Sequence, residues 1–153
     1  MSTVLDPGQR ALLDSARRAT LATIASDGRP RLVPCCFTLL DGGDGPTIVT
    51  PIDEKPKRSS EPRTLARLGD IERDPRVTLL VDRWDEDWTR LAWLRIEGTA
   101  RVVWPHHRPQ DRPAAIELLR GRYPQYRAHH LESLPLVWVS VTSVRGWTAQ
   151  SHD

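Results

Sequence analysis

The stretch TLATIASDGRPRLVPCCFTLLDGGDGPTIVT, residues 20–50, decides the fold class. Thr20 to Ser26 is rich in Thr, Ile, Leu and Ala, the composition of a strand. Asp27-Gly28 follows and signals a hairpin, because a tight turn between antiparallel strands needs positive φ. Arg31 to Leu40 reads as the returning strand. Pro34 inside it has no N–H for a ladder, so this strand belongs at an edge or carries a bulge. Asp41-Gly42-Gly43-Asp44-Gly45 is a second turn, and Thr47 to Thr50 a third strand. Strands in direct succession make a β-meander.

Working outward, Asp6-Pro7-Gly8-Gln9 has the residues of a helix start: Asp6 to cap, Pro7 at the first position and Gln9 at the capping-box offset. Leu12, Leu13 and Ala16 form its apolar stripe, and the helix is expected to end near Ala19. Downstream, Pro51 to Pro62 holds three prolines and reads as a loop. A helix from Glu61 or Pro62 carries Leu65, Leu68 and Ile71 and stops at Asp74-Pro75. Val77 to Val81 reads as a buried strand and Asp82 to Thr89 as an acidic loop. Leu91 to Val103 is a long strand with a bulge at Gly98. Pro113 to Arg122 is a helix, and the last strand runs from Leu136 to Val144, ending at Gly146-Trp147. Six strands with short connections favour an antiparallel barrel over a βαβ layout.

At 153 residues, 39% of them hydrophobic and 27% charged, the chain is expected to be one domain over 1–153. A net charge of +2 argues against an extended polyanion as partner, so no nucleic-acid role is expected. No apolar run approaches the roughly 20 residues of a membrane span, and the first residues lack the apolar centre of a signal peptide. A cytoplasmic protein with no membrane partner is the expectation. Cys35 and Cys36 are neighbours, which on a strand face opposite ways, and they read as two small hydrophobes. The histidines fall in the pairs His106-His107 and His129-His130 with His152 alone. Without HxxxH spacing they read as surface residues, and no metal site is expected.

Only two of the 22 basic residues are lysine, Lys55 and Lys57, and they lie beside Arg58 just ahead of a helix. Clustered cations before a helix N-terminus suit an anion, and a solvated loop capped by Ser60 is the plain alternative. Six Trp against two Tyr and one Phe is unusual. Trp93, Trp104 and Trp138 fall in or at strands and read as packing. Trp84, Trp88 and Trp147 lie in loops or the tail and are candidates for a ligand wall or a dimer contact. GxGxxG after a strand, Walker loop, GxSxG and HExxH are all missing. If the protein is an enzyme, a bound cofactor is expected to carry the chemistry.

The ordered segments Leu21-Ala22-Thr23-Ile24, Asp27-Gly28-Arg29-Pro30, Arg31-Leu32-Val33-Pro34, Lys55-Pro56-Lys57-Arg58, Asp74-Pro75-Arg76-Val77 and Glu97-Gly98-Thr99-Ala100 resemble the pyridoxamine phosphate oxidase-like split β-barrels. Asp85-Glu86-Asp87-Trp88 and Gly146-Trp147-Thr148-Ala149 resemble the coenzyme F420-dependent oxidoreductase branch. The resemblance spans roughly residues 10–149. It implies a mainly β, six-stranded antiparallel split barrel with flanking helices that forms a homodimer. It also implies an oxidoreductase with F420, or alternatively FMN, in a groove between subunits, passing a hydride to a small unsaturated substrate. A non-catalytic flavin- or haem-binding protein is the other reading. By the same resemblance, Lys55, Lys57 and Arg58 hold the cofactor phosphate. Pro34, Cys35 and Cys36 with Val49, Thr50 and Pro51 line the ring through backbone contacts, and Trp88 and Trp147 close the pocket, in part from the partner subunit. The basic clamp on the second strand and the extended C-terminal segment of the flavin oxidases are missing, so pyridoxamine oxidation is not expected. No side chain stands out as a general acid.

Overall fold

A computed structural model describes residues 4–42, 44–52, 65–107 and 109–149. Helix α1 (Pro7–Ser15) starts as expected: the Gln9 N–H donates to Asp6 at 2.8 Å and the Asp6 N–H to the Gln9 side chain at 3.0 Å. It ends at Ser15, short of Ala19, because Ala19 already opens β1 (Ala19–Ile24). The hairpin to β2 (Pro30–Cys35) turns at Asp27-Gly28, where Gly28 has φ of 84°. β3 (Thr38–Gly42), β4 (Gly45–Pro51), α2 (Ala66–Arg73), β5 (Arg76–Arg83), β6 (Ala92–Val103), α3 (Arg112–Arg122) and β7 (Leu136–Thr148) follow. The expected start of α2 near Glu61 lies outside the described residues.

Among the described residues there are seven strands, not six, all antiparallel in one sheet of order β2-β1-β5-β6-β7-β4-β3. The difference lies in Arg31–Leu40, which breaks at Cys36-Phe37 into β2 and β3. Those two consecutive strands are the opposite edges of the sheet. Laid flat, the edges of a seven-stranded sheet would stand about 29 Å apart at the usual strand spacing. Three Cα steps, from Cys35 to Thr38, reach at most about 11 Å. The sheet therefore curls until its edges meet, giving a barrel with a seam that no ladder closes. Pro34 is tolerated because, among the described residues, β2 pairs only with β1.

The long strands alternate as a barrel wall must. On β6, Ala92, Leu94, Ile96 and Ala100 point inward, and Trp93, Arg95, Glu97 and Thr99 outward. Leu21, Phe37, Ile48, Leu79, Leu94 and Val139 fill the interior. β5, read from sequence as a buried strand, is buried on one side, with Leu80 facing out. β7 continues past Val144 to Thr148 because Ser143–Thr148 pair with Ala92–Glu97. The bulge falls at Glu97/Gly98 as expected.

A second core lies outside the barrel, where Leu119, Tyr123, Tyr126 and Leu131 pack on Val49, Val103 and Trp138. Two arginines pin this cap. Arg112, only 6% exposed, donates to the carbonyls of Val103 at 3.1 Å, Leu131 at 3.2 Å and Leu134. Burial pulls its pKa down, against the pull of Glu132. Arg120 pairs with Glu132 and, with that residue's own backbone hydrogen bond, holds its carboxyl at about 2. Among the described residues no helix is long and apolar enough to cross a membrane.

Asp70 fastens α2 to the first hairpin. It is 3% exposed and accepts from Thr23 Oγ1 at 2.8 Å, Arg31 Nε at 2.7 Å and Arg73 Nη2 at 3.0 Å. Burial pushes its pKa up, but the hydrogen bonds from Arg31, Thr23 and Arg73 outweigh that and the net direction is down. A depressed carboxylate stabilises the fold above its unfolded pKa, and that contribution is lost as pH falls through the folded value. Asp70→Asn is expected to cost about 1–3 kcal/mol at pH 7, below the full value for a broken buried pair because Arg31 and Arg73 are half in water. It should also flatten the acid limb of a denaturant-stability curve below about pH 4. An unchanged acid limb would contradict this role.

Gly98 is required by contact. A Cβ there would stand 2.5 Å from the Ser140 carbonyl oxygen and 2.7 Å from Val139 Cγ1. Gly98→Ala is expected to destabilise by about 1–3 kcal/mol, since the obstruction includes backbone. Urea unfolding checks this, and a wild-type midpoint would refute the close approach.

Candidate functional site

The residues singled out in sequence fall into two groups. Pro34 and Cys35 end β2, Cys36 begins the two-residue link, and Val49, Thr50 and Pro51 end β4. These meet at the seam. Thr38 pairs with Val49, so Thr50 and Pro51 run past the start of β3 and stand outside its ladder. Cys35 packs against the barrel interior and Cys36 against the outer core that contains Val49, the opposite-facing arrangement expected of two small hydrophobes. Val49, Thr50 and Pro51 are buried, whereas Pro34 is exposed on an edge strand. Half the backbone groups of an edge strand point away from its neighbour, so β2 presents a row of donors and acceptors beside an apolar floor.

The seam is held by residues that the sequence reading missed. The Phe37 N–H donates to Tyr123 Oη at 3.1 Å. The Arg122 guanidinium lies 4.6 Å from the Phe37 ring centroid and donates to the last carbonyls of α1, Leu13 at 2.6 Å and Ala16. Arg17 covers the Tyr123 ring at 4.8 Å and donates to the Arg122 carbonyl at 2.6 Å. A cation at a helix C-terminus is favoured by the helix dipole. The sequence offers only Arg122-Tyr123 at a helix end, with nothing to tie it to a link 86 residues earlier.

Lys55, Lys57 and Arg58 lie outside the described residues. The described chain leaves the seam at Ile52, whose N–H donates to the Pro135 carbonyl at 3.2 Å, and resumes at Leu65.

Trp147 belongs to the second group. On β7 it pairs with Trp93 of β6. The Trp93–Trp147 pair, Trp84, Leu80 and Leu91 wall a cavity of about 330 Å³, which Asp82 and Arg83 also line. Trp84 is 71% exposed in the monomer and Trp88 69%. Trp88 opens the 3-10 turn Trp88–Arg90, which leads to Leu91. The Thr89 hydroxyl and N–H donate to Asp87, at 2.7 and 3.1 Å, and hold its carboxyl below the usual range. Arg83 Nε donates to the Arg90 carbonyl at 2.6 Å, and the Ala149 N–H to the Leu91 carbonyl at 3.0 Å, so the strand ends brace this turn.

One chain does not bring the two groups into contact. Trp147 lies 11 residues along β7 from Leu136, the partner of Pro51. That is about 36 Å of strand. Across the sheet, Pro34 and Trp147 are four strands apart, about 19 Å. Between them the outer face carries Ala22, Ile24, Leu32 and Leu80, with Leu32 65% exposed. The histidines of the described residues, 106, 107, 129 and 130, all sit in the cap region; His107 Nδ1 accepts from the Trp104 N–H at 3.0 Å. Among the described residues no three of His, Cys, Asp and Glu gather as metal ligands.

Solved structures share this architecture. A conserved hypothetical protein from Mycobacterium tuberculosis superposes with a TM-score of 0.71 at 23% identity, over 96% of this chain and 87% of its own. An F420 reductase does so at 0.63 and 19%, over 92% and 98%. HutZ, the haem storage protein from Vibrio cholerae, does so at 0.65 and 13%, over 95% of each chain. At these identities the likeness is one of fold. No curated protein matches by sequence. The family model for pyridoxamine 5'-phosphate oxidase matches residues 5–148, from the cap of α1 through the seam to the end of β7. A seamed antiparallel barrel matched along nearly its whole length makes this chain a member of the pyridoxamine 5'-phosphate oxidase family.

Proposed function

We propose that this protein is an oxidoreductase that uses coenzyme F420 to transfer a hydride between the deazaflavin and a small unsaturated organic molecule, and that it works as a homodimer. FMN is the alternative cofactor. The observation that carries the reading is the seam. There an edge strand with unladdered backbone groups meets the end of β4, immediately before the segment with both lysines. An aromatic cofactor with hydrogen-bonding ring edges and a phosphate needs those three things together. Family membership and the F420 reductase of the same fold support it.

In this reading Pro34, Cys35 and Cys36 with Val49, Thr50 and Pro51 line the ring, and Lys55, Lys57 and Arg58 take the phosphate. Bound F420 supplies the hydride from C5. The protein orients the reactants and excludes water. Among the described seam residues from Pro34 to Phe37 and Val49 to Ile52 none is a carboxylic acid or histidine, so the proton is assigned to solvent. The outward apolar stripe of half-buried Ala22 and Ile24 with exposed Leu32 and Leu80 is a surface for a second copy, which brings its Trp88 and Trp147 to the seam of the first.

A second reading, a flavin- or haem-binding carrier, is favoured by the same lack of an acid at the seam and by the haem storage protein of this fold. Titration of F420 fluorescence separates them. Saturable quenching at micromolar protein is expected, and Lys57→Ala should weaken binding by about 1.5–3 kcal/mol, the scale of a charge-assisted hydrogen bond. Binding of FMN alone moves the cofactor assignment, and a Soret shift with hemin alone establishes the carrier. Failure of all three contradicts both readings.

A further inference from the structure

Two cross-strand pairs stand side by side on the outer face. Trp93 pairs with Trp147, and two residues along Arg95 pairs with Arg145. Residues two apart on a strand share a face, about 6.7 Å apart. The Arg95 guanidinium lies 5.8 Å from the Trp93 ring centroid, so the aromatic and cationic pairs adjoin. Leu80 pairs with Arg95 and lines the indole cavity, which links the guanidinium pair to that cavity.

Like charges directly opposite one another on a sheet repel. The carboxylate nearest Arg95 is Glu97, only a loose partner at 3.9 Å, and among the described residues Arg145 makes no ion pair. An anion between the two guanidiniums removes the repulsion and gains charge-assisted hydrogen bonds, best satisfied by a flat carboxylate. The adjoining cavity of about 330 Å³ is walled by Trp84, Trp93 and Trp147 and accepts a planar ring. Asp82 and Arg83 both line the cavity and offset one another there, while Glu97 beside Arg95 opposes a second negative charge at the guanidinium pair.

We propose that this face is a binding site for planar aromatic monocarboxylates, with the ring among the three indoles and the carboxylate on Arg95 and Arg145. That this ligand is the hydride acceptor rests on the cofactor reading above, whereas its binding does not.

Calorimetric titration of the full-length protein with naphthalene-2-carboxylate, naphthalene-2-methanol and naphthyl-2-phosphate tests it, with F420 titrated separately. The carboxylate is expected to bind at least about tenfold more tightly than the alcohol, as one charge-assisted hydrogen bond provides. The phosphate should bind more weakly than the carboxylate. Arg145→Gln and Arg95→Gln should each erase most of the preference while leaving affinity for the alcohol and for F420 unchanged. Equal binding of carboxylate and alcohol, a stronger phosphate, or a preference that survives both substitutions would overturn the site. If the preference appears but neither F420 nor FMN binds, the cofactor reading fails and this site stands. If F420 binds and the preference is absent, the reverse holds.

Discussion

Two residues, Cys36 and Phe37, join the outermost strands of a seven-stranded sheet. A chain that short cannot bridge the width of an open sheet, so the sheet must roll up. The other features follow from that covalent limit. Rolling encloses Leu21, Phe37, Ile48, Leu79 and Leu94 as one interior. It brings the ends of β2 and β4 together at a seam that no hydrogen-bonded ladder closes. It also leaves β2 as an edge strand, the place where Pro34 does no harm. The link itself is fastened from outside, by Tyr123 on the Phe37 amide and by Arg122, which spans the Phe37 ring and the end of α1.

The same curvature divides the candidate site residues between two faces. The seam offers backbone donors and acceptors, and the cation-bearing segment follows it in sequence. The outer wall of β5, β6 and β7 offers indoles, guanidiniums and exposed leucine. These surfaces lie too far apart in one chain to hold one small molecule between them. A twofold pair, laid together along the apolar stripe, would set the seam of one copy against the indole wall of the other. Such an arrangement would account for large apolar side chains, Trp84, Trp88 and Leu32 among them, that face solvent in the single chain.

Features decided by neighbours in sequence were legible there. The Asp6–Gln9 capping box, the Asp27-Gly28 turn, the edge character signalled by Pro34 and the bulge at Gly98 each depend on a few consecutive residues, and each appears in the structure. The break at Cys36-Phe37 was not legible. Val33 to Leu40 is apolar enough to read as one strand, and what divides it is the assignment of its halves to opposite edges. The sequence placed Trp84 and Trp147 among the candidates for a ligand wall, but Trp93, read as packing, joined them only through the register between β6 and β7. The Arg95–Arg145 pair is invisible for the same reason, since two ordinary surface arginines stand 50 positions apart in sequence until the ladder aligns them. Arg122 and Tyr123 look like any helix end until the seam is seen beneath them.

The composite site is tested most directly by mixing two defective proteins. In the proposed reading a Lys57→Ala chain loses the phosphate contact but keeps a good indole wall. A Trp147→Ala chain has the reverse defect. If each site takes its seam from one copy and Trp147 from the other, a mixed dimer contains one intact site. Tight F420 binding should then reappear when the two proteins are mixed and allowed to exchange subunits, while each alone binds only weakly. If both contributions come from one chain, every site in the mixture stays defective, and absence of recovery after demonstrated exchange would contradict the account.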